Sequence, residues 1–168
     1  PIASNAHLDF ANIKNGKKKP KFDYGIENIT GETYSLLVYQ EQMMSIIHQL
    51  GGLSLIEAEN ARKYIKKKKM KELNALGDEF IKGAISNGCP EDEAKVIWDK
   101  MNAFSVFFFN KSHAVAYTLM SYWSQWFKVN YPLEFWTTSL QYAAESDIPW
   151  RLSEMKKIGN DIEIRQPD

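Results

Sequence analysis

The sequence predicts an all-α protein, an irregular multi-helix domain with an extended, loop-rich N-terminal lead-in. Three observations predict it. From residue 32 to about 145, apolar residues recur at helical spacing. Glycine and proline mark the joints between these segments, and start and stop signatures bracket them. The 168 residues suit one domain of ordinary size, long enough to bury a core.

The elements follow in order. Residues 1–31 concentrate turn chemistry, with Asn15-Gly16, Pro20, Gly25 and Gly31 around Lys17, Lys18, Lys19 and Lys21, and predict an extended or hairpin-like lead-in. Met43, Met44, Ile46, Ile47 and Leu50 then form a helical apolar stripe, stopped by Gly51-Gly52. Ser54 restarts a helix, with Glu57 placed to complete a capping box, and that helix carries Leu55, Ile56, Ala58, Ala61 and Ile65. Another runs from about Met70 through Leu73, Leu76, Phe80, Ile81 and Ala84 to the stop at Asn87-Gly88. Pro90 opens a helix whose first turn holds Glu91, Asp92 and Glu93, and which carries Ala94, Ile97, Trp98 and Met101. Residues 111–130 carry Tyr117, Tyr122, Trp123, Trp126 and Phe127 as a stripe and read as the most buried helix. Pro132 separates it from a helix over 133–144, and a last short helix spans 149–158, before Gly159. The tail, 162–168, reads as a short strand or a cut end. In domain terms this gives a lead-in at 1–31, a helical body at 32–148, and a short helix with tail at 149–168.

Composition narrows the function classes. With 44% hydrophobic, 13% aromatic and 25% charged residues, the chain is globular and neither disordered nor a rod. Basic and acidic residues both number 21, so only the distribution of charge can point to a partner. Cys89 is the lone cysteine, which excludes an internal disulfide, and no apolar stretch is long enough to span a bilayer, so a soluble intracellular protein is expected. No signal peptide opens the chain, and the absence of an initiator Met points to a piece of a longer protein.

Chemistry concentrates in two places. Residues 62–71, RKYIKKKKMK, hold seven cations and no acid. Such a block makes a positive potential suited to phosphates, while the plainer reading is a solvated helix end. Arg62, with its planar fork, is the specific phosphate contact within it, and the lysines supply diffuse attraction. The second place is the run from Phe107 to Tyr117. Asn110 can cap the following helix, whose first turn presents Lys111, Ser112, His113 and backbone amides to an anion or a base edge. The plainer reading makes Asn110 and Ser112 cap residues and His113 a satisfied imidazole. Glu41 can in principle hold a metal but more plausibly caps or pairs. His7, His48 and His113 are scattered, Cys89 has no ligand partner, and neither a nucleophile elbow nor a phosphate-binding loop is present, so neither a metal site nor autonomous catalysis is expected.

The order of motifs resembles a known family. ETYSLLVYQEQMM (32–44), LSLIEAENARKYIKKKK (53–69), FFNKSHAVAY (108–117) and YPLEF (131–135) are similar to the fingers region of bacterial replicative DNA polymerase III alpha subunits, the C-family DNA polymerases. The closing RQPD (165–168) resembles the Pro-Asp that follows the fingers there. The resemblance implies a DNA-directed DNA polymerase as the full-length protein, joining a primer 3'-hydroxyl to the α-phosphate of a deoxynucleoside triphosphate. It places two Mg2+ on palm aspartates outside this chain, so this chain holds no catalytic residue. It assigns nucleotide binding to Arg62, Lys63, Asn110, Lys111, Ser112, His113 and Tyr117, and DNA binding to Lys66, Lys67, Lys68, Lys69 and Lys71. The implied partners are primer-template DNA, deoxynucleoside triphosphates, the other domains of the same polymerase and replisome subunits, with no membrane; the implied setting is bacterial cytoplasm, host- or phage-encoded. Lys66, Val106 and Phe108 stand where the family usually has glycine, and Asn60 and Ala61 where it usually has leucine, so the chain looks like a divergent member. Two other readings compete: a helical nucleic-acid-binding module unconnected with polymerisation, and a protein-interaction domain docking through the Met43 and Met44 helix.

Overall fold

The computed structural model describes residues 5–104 and 108–157. Among the described residues the regular structure is helical: α1 (Ala6–Lys14), α2 (Glu27–Thr30), α3 (Gln40–Gln49), α4 (Leu55–Lys66), α5 (Met70–Ser86), α6 (Glu91–Phe104), α7 (Lys111–Asn130), α8 (Pro132–Gln141) and α9 (Ile148–Lys157), with 3-10 turns at Gly31–Thr33 and Glu145–Asp147. The chain is all-α, as its periodicity predicts. Val106, the stop at Gly159 and the tail at 162–168 lie outside the described residues. The helices fall into two compact units that divide between His113 and Ala114, inside α7.

The lead-in differs from expectation, because residues 6–14 form a helix. The turn pair Asn15-Gly16 closes that helix instead of turning a hairpin: the Asn15 and Gly16 amides donate back to the carbonyls of Ala11 and Ile13 at 3.0 Å each, with Gly16 at φ 72°. Ile13 is buried, and the Phe10 ring sits 5.0 Å from that of Tyr34. From residue 17 to 26 the chain is non-helical.

The core of the first unit is built by α3 to α6, each packed on its neighbour in sequence. Met43, Ile46 and Ile47 from α3 meet Ala58 and Ala61 from α4, Leu73, Leu76, Phe80 and Ala84 from α5, and Ala94, Ile97, Trp98 and Met101 from α6. These are the faces that the spacing marks. Two exceptions, Leu55 and Ile56, are exposed on the outer side of the first turn of α4. Met44 packs against the core and Met43 lies inside it, so the methionine pair is not a surface for another protein. Phe80 stacks on Trp98 with ring centroids 5.3 Å apart. At Gly83 the α5 backbone runs so close to the Gly51 loop that a Cβ would lie 1.8 Å from the Gly51 carbonyl oxygen. Cys89 is buried at the end of this core, and burial, with Glu93 and Asp92 nearby, pushes its thiol pKa up.

The caps set where the helices begin. Ser54 Oγ accepts from the Glu57 amide at 3.2 Å, and the Glu57 carboxylate accepts from the Ser54 amide at 2.7 Å, the reciprocal pair the sequence predicts. The Glu57 carboxylate also accepts from the Ser54 hydroxyl at 2.7 Å, and this bond first, then the one from the Ser54 amide, favours the ionised form and lowers the Glu57 pKa. Gln42, buried in α3, reaches back to the amides of Val38 and Tyr39 at 2.9 Å each, and its own amide donates to Thr33 Oγ1 at 2.7 Å.

The second unit is thinly packed. Among its described residues the buried apolar side chains are Trp136 and Met155, and Arg151 ties α9 to α8 by donating to the Ser139 carbonyl and hydroxyl oxygens at 2.7 and 2.6 Å. α7 contributes no buried residue, against the expectation that it is the most buried helix. Its stripe is real as a pattern, yet Tyr117, Tyr122, Trp123, Trp126 and Phe127 are all exposed. Periodicity reports that a face is apolar and says nothing about whether the same chain covers it.

Candidate nucleotide and nucleic-acid interface

Two stretches that are 70 residues apart interlock in the first unit. The Phe109 amide donates to the Val38 carbonyl at 2.9 Å, and the Gln40 amide donates to the Phe109 carbonyl at 3.0 Å, forming a parallel bridge between Tyr39 and Phe109. Gln40 Nε2 donates to the Phe108 carbonyl at 3.3 Å. Immediately beyond, the Glu41 carboxylate accepts the Lys111 backbone amide through both oxygens, at 3.1 and 3.0 Å. The YQEQ and FNKSH strings are thus two halves of one clasp.

This clasp decides what the start of α7 can offer. Asn110 Oδ1 accepts the His113 amide at 2.8 Å, so Asn110 is the cap that the sequence predicts. Glu41 fills the amide position that the sequence leaves to an anionic ligand, and so the first turn is already answered by a carboxylate of the protein itself. Lys111 Nζ pairs with Glu32 at 2.5 Å and lies 5.8 Å over the Tyr39 ring; the Glu32 hydrogen bond is the main cause of its raised pKa. The His113 ring is 5.2 Å from Phe109. Ser112 and His113 are exposed, as is Tyr117 in the second unit.

The basic block falls at the joint between α4 and α5. α4 ends in a Schellman arrangement: the Lys68 amide donates to the Ile65 carbonyl at 3.1 Å and the Lys69 amide to the Tyr64 carbonyl at 2.9 Å. The left-handed residue that this turn needs is Lys68, at φ 54°. Arg62 forms a two-bond fork on Glu59, Nε to Oε2 at 2.9 Å and Nη2 to Oε1 at 2.5 Å, and Lys63 lies 4.0 Å from the same carboxylate. That hydrogen bond holds the Glu59 carboxyl below its ordinary range and raises Arg62. Lys69 pairs with Glu72 at 3.1 Å. Among the described residues no carboxylate pairs with Lys66, Lys67, Lys68 or Lys71, all four exposed.

A cleft of ≈ 320 Å³ joins these parts, lined by Gln40, Met43, Arg62, Ile65, Lys66, Lys68 and Phe108. It therefore unites the clasp with the block. Phe108, buried, belongs to both the cleft and the core. Among the described residues no group of three or more His, Cys, Asp or Glu gathers to hold a metal ion. What sequence reasoning missed was the bond from Glu41 to the α7 amide and the docking of Gln40 on Phe108. Glu41 reads as a capping or pairing acid, but a partner 70 residues away leaves no local signal.

The family model described as the bacterial DNA polymerase III alpha subunit finger domain matches residues 1–88. Relatives named DNA polymerase III subunit alpha include those of Aquifex aeolicus, 37% identical over 83% of this chain and 12% of the relative, and Saccharopolyspora erythraea, 34% identical over 100% and 14%. That of Thermus aquaticus is 42% identical over 69% of this chain and 10% of its own length. The chain belongs to the bacterial DNA polymerase III alpha subunit finger domain family. It spans about a seventh or less of the length of these relatives.

Proposed function

We propose that this chain serves as the fingers of a replicative DNA-directed DNA polymerase. It positions the incoming deoxynucleoside triphosphate and grips template DNA through the block at the α4–α5 joint. The observation that carries the reading is the set of unneutralised lysines, Lys66, Lys67 and Lys68, next to a cleft that also takes Arg62. Unpaired cations on an exposed joint attract phosphates, and binding there releases counterions. Arg62 spends two of its five N–H donors on Glu59, which fixes the guanidinium plane and leaves the Nη1 edge for a phosphate oxygen. Lys63 adds charge beside it. Asn110, Lys111, Ser112 and His113 belong to the helix start that the clasp orients, and Tyr117 lies further along α7, in the second unit. Asn110 and Lys111 act through position, and Ser112, His113 and Tyr117 present exposed side chains toward the nucleotide and template.

The chemistry of the reaction lies elsewhere. Divalent metal, Mg2+ in this reading, sits on palm aspartates of the same polymerase; the described residues offer no ligand cluster for it, and no step here runs through an ion. The partners are primer-template DNA, deoxynucleoside triphosphates, the neighbouring polymerase domains and replisome subunits. The setting is the bacterial cytoplasm, whether the gene is a host's or a phage's. No described helix is long and apolar enough to cross a membrane.

Steady-state kinetics of the intact polymerase test the reading. Arg62→Ala raises the nucleotide KM or lowers kcat, and unchanged values reject the assignment. Changing Lys66 through Lys69 to Ala flattens the salt dependence of primer-template binding by up to about four in log–log slope.

A further inference from the structure

The chain is neutral overall, yet its cations are clustered. Besides the seven in residues 62–71, five more, Lys14, Lys17, Lys18, Lys19 and Lys21, fall in residues 14–21, which contain no acid. The polymerase reading uses the first cluster and leaves the second without a role. All five lysines are exposed. Lys14 ends α1, where a cation is favoured by the helix dipole, but that field fades within the last turn and does not reach Lys17 to Lys21.

The loop also frames a cleft of ≈ 250 Å³, lined by Lys18, Lys19 and Lys21, by Lys100 from α6, and by Ile13, Leu36 and Leu37. Two aspartates share it, and both are committed: Asp9 pairs with Lys18 at 2.8 Å and Asp23 with Lys100. That leaves Lys19 and Lys21 uncompensated in the cleft, with Lys17 beside them; among the described residues none of the three has a carboxylate partner. This cleft shares no lining residue with the one at the α4–α5 joint.

Resting on the reading of the chain as polymerase fingers, we propose that this lysine loop is a second contact with the nucleic acid backbone, separate from the α4–α5 block. The same unit carries both clusters, and phosphates at each neutralise the repulsion within it. An acidic protein segment is the competing occupant. Phosphates are favoured because the loop is exposed and its five lysines follow one another with no acid between them, which suits a row of evenly spaced backbone anions.

The test is primer-template binding by the intact polymerase, measured by anisotropy over a range of salt. Three variants are compared: Lys17→Gln/Lys19→Gln/Lys21→Gln, the α4–α5 block variant, and a control of equal charge change, Lys82→Gln/Lys95→Gln/Lys156→Gln. The loop variant is expected to flatten the log–log salt slope by about two to three and to bind roughly tenfold more weakly at physiological salt, independently of the block variant. The control is expected to leave the slope unchanged. A slope altered by the block variant but not by the loop variant overturns this inference and leaves the polymerase reading standing. If neither variant alters it, both fall. Equal effects of loop and control reduce the contact to net charge and overturn it. An unchanged DNA slope with lost binding of polyglutamate assigns the loop to an acidic protein and overturns it as well.

Discussion

Lys68 holds a left-handed backbone at φ 54°, in a turn where glycine is the usual occupant. An L-residue in that conformation costs about 1 kcal/mol or somewhat more. Retaining a lysine there keeps an unpaired charge at the mouth of the cleft at the expense of stability. Lys68→Gly is therefore expected to raise the unfolding free energy by about 1 kcal/mol in urea titrations while weakening DNA binding. Glu59 sets a second residue-scale property. Arg62 lowers its folded-state pKa below the unfolded value, so the pair's stabilisation is present above the ordinary carboxylate range and is lost as pH falls through the folded pKa. Because both side chains are partly exposed, the pair contributes only about 0.3–0.5 kcal/mol. Glu59→Gln is expected to remove that share of the acid-side loss of stability, as read from urea midpoints between pH 6 and pH 3.

Between elements, the clasp is the feature with the most reach. Glu41 on α3 holds the first amide of α7, Asn110 holds the third, and Gln40 holds the strand-like residues before them. Glu41→Gln weakens a charge-assisted bond to a neutral one and is expected to cost about 1 kcal/mol. Hydrogen exchange at Lys111 would quicken in that variant while the α5 amides stay protected; equal protection in variant and parent would show that the carboxylate does not hold the helix start. Much of this level was legible in the sequence. The Ser54 and Glu57 capping box, the α5 stop and the Asn110 cap all depend on residues within three or four positions, where propensity and capping chemistry act. α1 was not legible, since Asn15-Gly16 serves equally as the end of a helix and as a hairpin turn. Nor was the clasp, which joins residues far apart.

For the whole molecule, the two units differ in how much they bury. The first has a core from four packed helices, whereas the described residues of the second bury Trp136 and Met155, with Arg151 tying α9 to α8. Few buried contacts mean cheap local opening. Native-state hydrogen exchange is expected to show α8 and α9 amides exchanging at least tenfold faster than those in the middle of α5, and uniform protection across both units would contradict this. The aromatic face of α7 marks the limit of sequence reading at this scale. Tyr122, Trp123 and Trp126 have the spacing of a core helix and none of the burial, because the pattern encodes an apolar face without encoding what lies against it.

Cys89 gives the first unit a chemical clock. Its thiol is the chain's single one, lies 3% exposed against the α5–α6 core, and has its pKa pushed up by burial, so thiolate-seeking reagents find nothing to attack while the unit stays closed. Each modification event then records one opening of the core. A fluorophore can be attached through a cysteine introduced at exposed Lys67 without first removing Cys89, and with a reagent that reacts faster than the core recloses, the slow second labelling times how often the domain beneath the lysine block comes apart.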